Sequence, residues 1–266
     1  MRIGKTEDLE KEIALQSYLQ QHNYPVPHVI DHGIYEGNTF FIEENTGNET
    51  LAQSFVKQSG TQTEEQRTLL FELLTKYAEA QSLTVKNENY AQRFLEGAYY
   101  DEVAENEARG DLKKKMADAK TKLLHDLASV PYVFSHGDFN PWNIFPKAVI
   151  DFEYHLWAPF GYDLITCVLH DYNFPSESTL EIRRSNEFPE DFRSKVINYV
   201  FEFSKNQLNT SIDNIVESIY LPKLTFSSAH MDRMPKIQQW RFNLLEACID
   251  KYLEGTSYMK RLVNGG

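Results

Sequence analysis

The stretch His136-Gly137-Asp138-Phe139-Asn140-Pro141-Trp142-Asn143-Ile144-Phe145, followed by Val149-Ile150-Asp151-Phe152-Glu153, decides how the chain is read. Asp138 and Asn143 stand five residues apart on a proline-containing loop, and Asp151 lies eight further on, at the end of an apolar strand. A tight hairpin between Asn143 and Asp151 brings two hard oxygen donors together. Mg²⁺ favours such amide and carboxylate oxygens, keeps several waters and completes its shell with substrate phosphates. Asp138 is then left to orient a nucleophile. Phosphoryl transfer asks little more of a protein once metal ions bridge the phosphates.

At these residues the sequence resembles the kinase-like phosphotransferases of the aminoglycoside phosphotransferase and choline kinase-like family. The catalytic centre of that family joins a His-Gly-Asp-x-x-x-x-Asn loop to an Ile-Asp-Phe/Trp-Glu segment. Both stand here, as His136-Gly137-Asp138 with Asn143 and as Ile150-Asp151-Phe152-Glu153. The resemblance implies that Asp138 is the catalytic base, that Asn143 and Asp151 bind Mg²⁺, and that ATP or GTP donates the phosphate. It also implies a structural Asp163 in Gly161-Tyr162-Asp163-Leu164, and a first-helix Glu12 paired with a strand cation that holds the nucleotide phosphates. Arg2, ten residues before Glu12, stands near that cation's place, and Lys5 is a second candidate. Arginine meets phosphate with a planar fork rather than a point charge, so it is no neutral replacement for lysine. His136 is read as fixing the loop backbone, since an imidazole base is superfluous beside Asp138.

The resemblance implies a bilobal, protein kinase-like α+β fold. The family carries two strands and a phosphate-covering loop ahead of the cation-bearing strand, and this chain begins at about that strand. The expectation is therefore a truncated small lobe, or a start assigned too late. Residues 1–48 form the partial N-lobe and 49–266 a larger helical C-lobe that carries the catalytic loop and metal-binding segment.

Hydrophobic periodicity supports this division. Residues 6–21 read as a helix anchored by Leu9, Ile13, Leu15 and Leu19, stopped before Tyr24-Pro25-Val26-Pro27, where each proline biases its predecessor toward extended backbone. A hairpin follows, Val29–Tyr35 and Thr39–Glu43 joined by Glu36-Gly37-Asn38, and the polar Glu44-Asn45-Thr46-Gly47-Asn48 is the expected hinge. Thr63-x-x-Gln66 is a capping-box pattern opening a helix to about Ser82, and Asp111 to Leu127 carries a further apolar stripe. Short strands are expected at 132–134, 143–145 and 148–152, and helices at 164–169, 192–203, 212–220 and 240–252. Phe139 and Trp142 are assigned to packing beneath the loop.

Composition narrows the partners. The 266 residues carry a net charge of −12, with 41% apolar, 13% aromatic and 25% charged residues, which describes a folded protein of one or two domains. The acidic excess argues against nucleic acid as a partner. No apolar run reaches the roughly 20 residues that span a bilayer, so no membrane segment is expected. Cys167 and Cys248, each among apolar residues, suit a reducing cytoplasm better than a disulfide framework. Only about ten residues separate Asp151 from the helix near Gly161, too few for a peptide-docking activation segment. The acceptor is thus expected to be a small-molecule hydroxyl, such as an aminoglycoside, an amino sugar, a choline-like compound or another alcohol. Glu153, Asp163 and Asp171, with the net charge, suit a cationic one. Two other readings stand beside this one. A catalytically silent, kinase-like nucleotide-binding protein would follow from the absent phosphate loop. A His/Asp metal-dependent phosphohydrolase would use His125-Asp126, His170-Asp171 or His136 with Asp138.

Overall fold

The alternation of charged and apolar residues after Lys5 winds helix α1 (Thr6–Gln21), which buries Leu9 and Leu19. The computed structural model that shows this describes residues 2–4, 6–57, 63–108, 110–170, 188–229 and 234–257. Its class is α+β, as expected, and packing divides it into two compact units. One is Met1–Thr84 with Pro141–Asp151, the other Val85–Asn140 with Phe152–Gly266. The boundary drawn at residue 48 followed the family likeness, whereas packing groups the next two helices and the 141–151 hairpin with the first sheet.

In the first unit, strands β1 (Arg2–Gly4), β2 (Val29–Tyr35) and β3 (Asn38–Glu43) form an antiparallel sheet in the order β1-β3-β2. Register is set by Arg2 opposite Phe41 and Ile34 opposite Thr39. Alternate residues Thr39 and Phe41 are buried, as a half-covered strand requires, and α1 packs on β3. The α1 side chains Gln16 and Gln20 both donate to the Pro27 carbonyl, at 2.6 and 3.1 Å, and so fix the Pro25–Pro27 turn. Helix α2 (Leu51–Lys57) precedes α3 (Glu64–Ser82), whose N-terminus has the expected capping box between Thr63 and Gln66. Helix α3 buries Leu70, Leu73, Leu74 and Tyr77, and the Tyr77 ring meets Tyr24 edge-on at 5.4 Å.

The 141–151 hairpin is stitched into this unit by backbone bonds. Leu51 N–H donates to the Ile144 carbonyl (2.7 Å), Ala52 N–H to Pro141 (3.0 Å) and Val149 N–H to Pro25 (2.7 Å). The strands expected at 143–145 and 148–152 are replaced by one isolated bridge between Ile144 and Val149. Backbone groups that a longer ladder would use are bonded to α2 and to Pro25, and Pro146 has no N–H to offer. Trp142, expected beneath the loop, is instead 51% exposed, while Phe139 is fully buried.

The second unit is mainly helical: α4 (Ala91–Gly97), α5 (Tyr100–Glu102) running into a π-turn at Val103–Glu107, α6 (Gly110–Asp126), α7 (Tyr162–Val168), α8 (Glu190–Gln207), α9 (Val216–Ser228) and α10 (Pro235–Leu253). Between α6 and α7, strands β4 (Tyr132–Ser135) and β5 (Leu156–Pro159) pair antiparallel, with every β4 residue buried. The Phe94 and Tyr162 rings meet edge-on at 5.1 Å, and Tyr100 Oη donates to the Met116 carbonyl at 3.0 Å. Helix α10 packs on α6 and α9, and α7 on α8 and α9. Two expectations shift here. The segment from Phe152 to Tyr154 is a 3₁₀ turn leading into β5, which has no counterpart among the expected strands. The helix expected at 212–220 runs from Val216 to Ser228, straight through Pro222.

Removing the reciprocal cap by Thr63→Ala should lower stability by about 1 kcal/mol. A lower urea midpoint with unchanged slope, measured against the wild type, checks this.

Candidate active site

A buried carboxylate holds the start of the loop after β4. Asp163, in the first turn of α7, accepts the His136 N–H at Oδ2 (2.8 Å) and the Gly137 N–H at Oδ1 (3.1 Å). Gly137 has φ +83°, and a Cβ there would collide with the Tyr154 carbonyl oxygen, so only glycine fits this close approach. The fully buried His136 ring accepts the Asp138 N–H at Nδ1 (3.3 Å) and lies 4.5 Å from the Phe152 ring and 5.8 Å from Phe139. Both residues therefore sit where they fix backbone.

Asp138 follows with its side chain 31% exposed. The Lys223 Nζ of α9 donates to Asp138 Oδ1 and to the Gly137 carbonyl, each at 3.0 Å, and lies 4.5 Å from the Phe226 ring centroid. Burial alone would raise the Asp138 carboxyl, but the adjacent Lys223 ammonium, helped by His136 and Asn140, outweighs it and holds the group below the ordinary carboxylate range. Asp138 thus stays ionised at neutral pH. Nearby His170 is buried, and burial, reinforced by the Lys223 charge, lowers its pKa to about 3, so it is a neutral imidazole.

Asn143 and Asp151 belong to the first unit, where one hairpin bonds Asn143 to Ile150, the residue before Asp151. Ile150 N–H donates to the Asn143 carbonyl at 3.0 Å, and Phe145 N–H to Ala148 at 2.8 Å, which places the two residues at the open end of the turn. Asp151 is exposed and has φ +67°, a left-handed conformation that aspartate tolerates better than most side chains. An amide oxygen and a carboxylate form a hard donor set that fits Mg²⁺, which leaves further positions to water and phosphate.

Other expected residues fall as follows. Glu12 is exposed on α1. The Arg2 backbone lies in β1, while its side chain, like Lys5 and Asp171, lies outside the described residues. His125 is exposed beside Asp126, which bonds Lys122 (2.5 Å) and the Tyr252 hydroxyl (2.8 Å). Among the described residues, no three His, Cys, Asp or Glu side chains gather as a metal cluster. Lys223 is what the sequence reading lacks. Its only signal is a lysine inside the otherwise apolar run Ile219-Tyr220-Leu221-Pro222-Lys223-Leu224.

Comparison with known proteins gives three results. The profile of a phosphotransferase enzyme family matches residues 1–189. No curated protein matches the chain. Among solved structures, an aminoglycoside-3'-phosphotransferase of type VIII is similar, with 15% identity over 85% of this chain and 83% of that one, at a TM-score of 0.48.

Asp163→Asn would keep one acceptor oxygen and turn an NH₂ group toward a backbone N–H. Hydrogen bonds to a charged group contribute about 1.5–3 kcal/mol, so a loss of roughly 3 kcal/mol in unfolding free energy is expected by denaturant titration.

Proposed function

Because the chain belongs to the phosphotransferase enzyme family, we propose that it transfers the γ-phosphoryl group of ATP or GTP, with Mg²⁺, to a hydroxyl of a small molecule. The observation that carries this reading is Asp138: an ionised carboxylate, partly exposed, on a loop whose backbone is fixed on both sides. In the step, the acceptor oxygen bonds to the γ-phosphorus and the bond to the β–γ bridging oxygen breaks. That electron pair stays on the departing diphosphate, and the hydroxyl proton passes to Asp138. A carboxylate is a weak base, which suffices when the proton leaves late in a loose transition state.

Asn143 and Asp151 would hold Mg²⁺, which when bound neutralises phosphate charge. Arg2 and Glu12 are assigned to the donor phosphates on the family resemblance. The acceptor is a small alcohol, whether sugar, amino sugar or choline-like. Of the acidic residues that suited a cation, Asp163 is engaged with the loop backbone, which leaves exposed Glu153 among the described ones. Two buried thiols, Cys167 and Cys248, accord with a cytoplasmic setting.

A second reading, nucleotide binding without transfer, is favoured by the ion pair itself, since Lys223 occupies one oxygen of the base. The two readings separate on activity. Thermal unfolding with Mg²⁺ and ATP or GTP at a hundred times the dissociation constant should gain about 2.7 kcal/mol, roughly 5 to 11 °C here. Asp151→Asn should lose that gain, whereas Asp138→Asn should keep it and abolish phosphorylation of every alcohol the wild type accepts. Equal loss of nucleotide binding in both variants would overturn the division of roles. A wild type that binds nucleotide and phosphorylates no alcohol would leave the silent reading in place.

A further inference from the structure

Lys223 is a cation placed where solvent does not reach it. The residue is 1% exposed on α9, a helix whose other buried positions include Ile219, Leu221, Pro222 and Leu224. Its ammonium is directed at the Gly137 carbonyl, Asp138 Oδ1 and the face of Phe226. Stability is a poor account of such a residue. Removing an ammonium from water is costly, and apolar side chains of similar volume commonly replace buried ion pairs at no loss. What an apolar residue could not do is fix the rotamer and charge of a carboxylate.

We infer that Lys223 is a positioning residue for the transfer proposed above, on which its role rests: from α9 it clamps the Gly137 carbonyl and one oxygen of Asp138, presenting the carboxylate's exposed edge to the acceptor hydroxyl. Together with Asp163 it holds the loop from both sides, the carboxylate taking two N–H groups and the ammonium one carbonyl and the base. The clamp also governs the pH at which the base is lost. Among the described residues, the groups facing Asp138 include Lys223 from α9, His136 and Asn140 from its own loop, Tyr162 from α7, and His170 beyond α7. Lys223 is the largest contributor to the offset against burial, ahead of His136 and Asn140. Without it, burial would raise the carboxyl, and transfer would fail at a higher pH as the proton returns.

The test compares wild type with Lys223→Met and Lys223→Gln in a phosphoryl-transfer assay, using a panel of alcohols with water as the reference acceptor. Misplacing a catalytic group by about 1 Å costs roughly 100-fold, and an opposite charge beside an aspartate moves its titration by about one to three pH units. The expected result is a kcat lower by about 100-fold at pH 7, with the nucleotide KM within about twofold and the acid limb of the kcat profile about one unit higher. Glutamine keeps a donor without the charge, so it decides the question if the methionine variant does not fold. Wild-type kcat and acid limb in a folded variant would overturn the role. So would a fall in kcat matched by an equal loss of nucleotide affinity, since that reports a fold-wide effect. A wild type that transfers to no acceptor, water included, instead fails the phosphotransferase reading and takes this role with it.

Discussion

Two successive backbone N–H groups, those of His136 and Gly137, converge on one buried carboxylate, and the site depends on that convergence. Asp163 is fully buried, so its carboxylate needs donors from the protein, and the loop supplies two adjacent ones. The chain must bend tightly to aim both N–H groups the same way, which requires positive φ at residue 137 and no Cβ against the Tyr154 carbonyl. That same bend turns Asp138 outward at the end of β4, where it meets Lys223. Removing any one of these constraints releases the others, because each group is the partner that satisfies its neighbour.

Two carboxylates, Asp138 and Asp163, thus serve one loop in different chemical roles, set by what surrounds each. Amide dipoles surround Asp163, which is spent on geometry. An ammonium faces Asp138, which keeps part of its surface open and its charge intact. Placing the cation on a separate helix allows Asp138 to stay ionised without any group of the loop having to change charge. His136 and His170 fit this arrangement as rings that bond or pack, the second held neutral by burial.

How far this could be read in the sequence varies with the range of the interaction. Local chemistry was plain: the capping box at Thr63, the α1 stripe, the hairpin around Gly37, and the Asp138, Asn143 and Asp151 spacing with its fixed glycine. Interactions set by packing were not. The 143–145 and 148–152 segments have strand-like residues, yet their backbone groups bond to α2 and Pro25, which no local pattern records. Helix α9 is buried on most sides and contains Pro222, so it lacks the periodic stripe that marks a helix and carries a residue that reads as a stop. Strand β5 gains its identity from β4, twenty-odd residues upstream.

Lys223 shows why that difference matters for function. The matching family profile ends at residue 189, so it covers the loop, the hairpin and Asp163 but none of α8, α9 or α10 in full. The counter-ion of Asp138 therefore comes from a part of the chain outside the match, from a helix recruited to the loop by packing between α7, α9 and α10. A motif can specify which carboxylate acts and which oxygens suit a metal. The charge beside that carboxylate is decided by whichever later helix is laid against it. In this chain that helix brings an ammonium, that of Lys223. The neighbourhood of Asp138 is thereby closer to neutral than the −12 of the whole chain suggests.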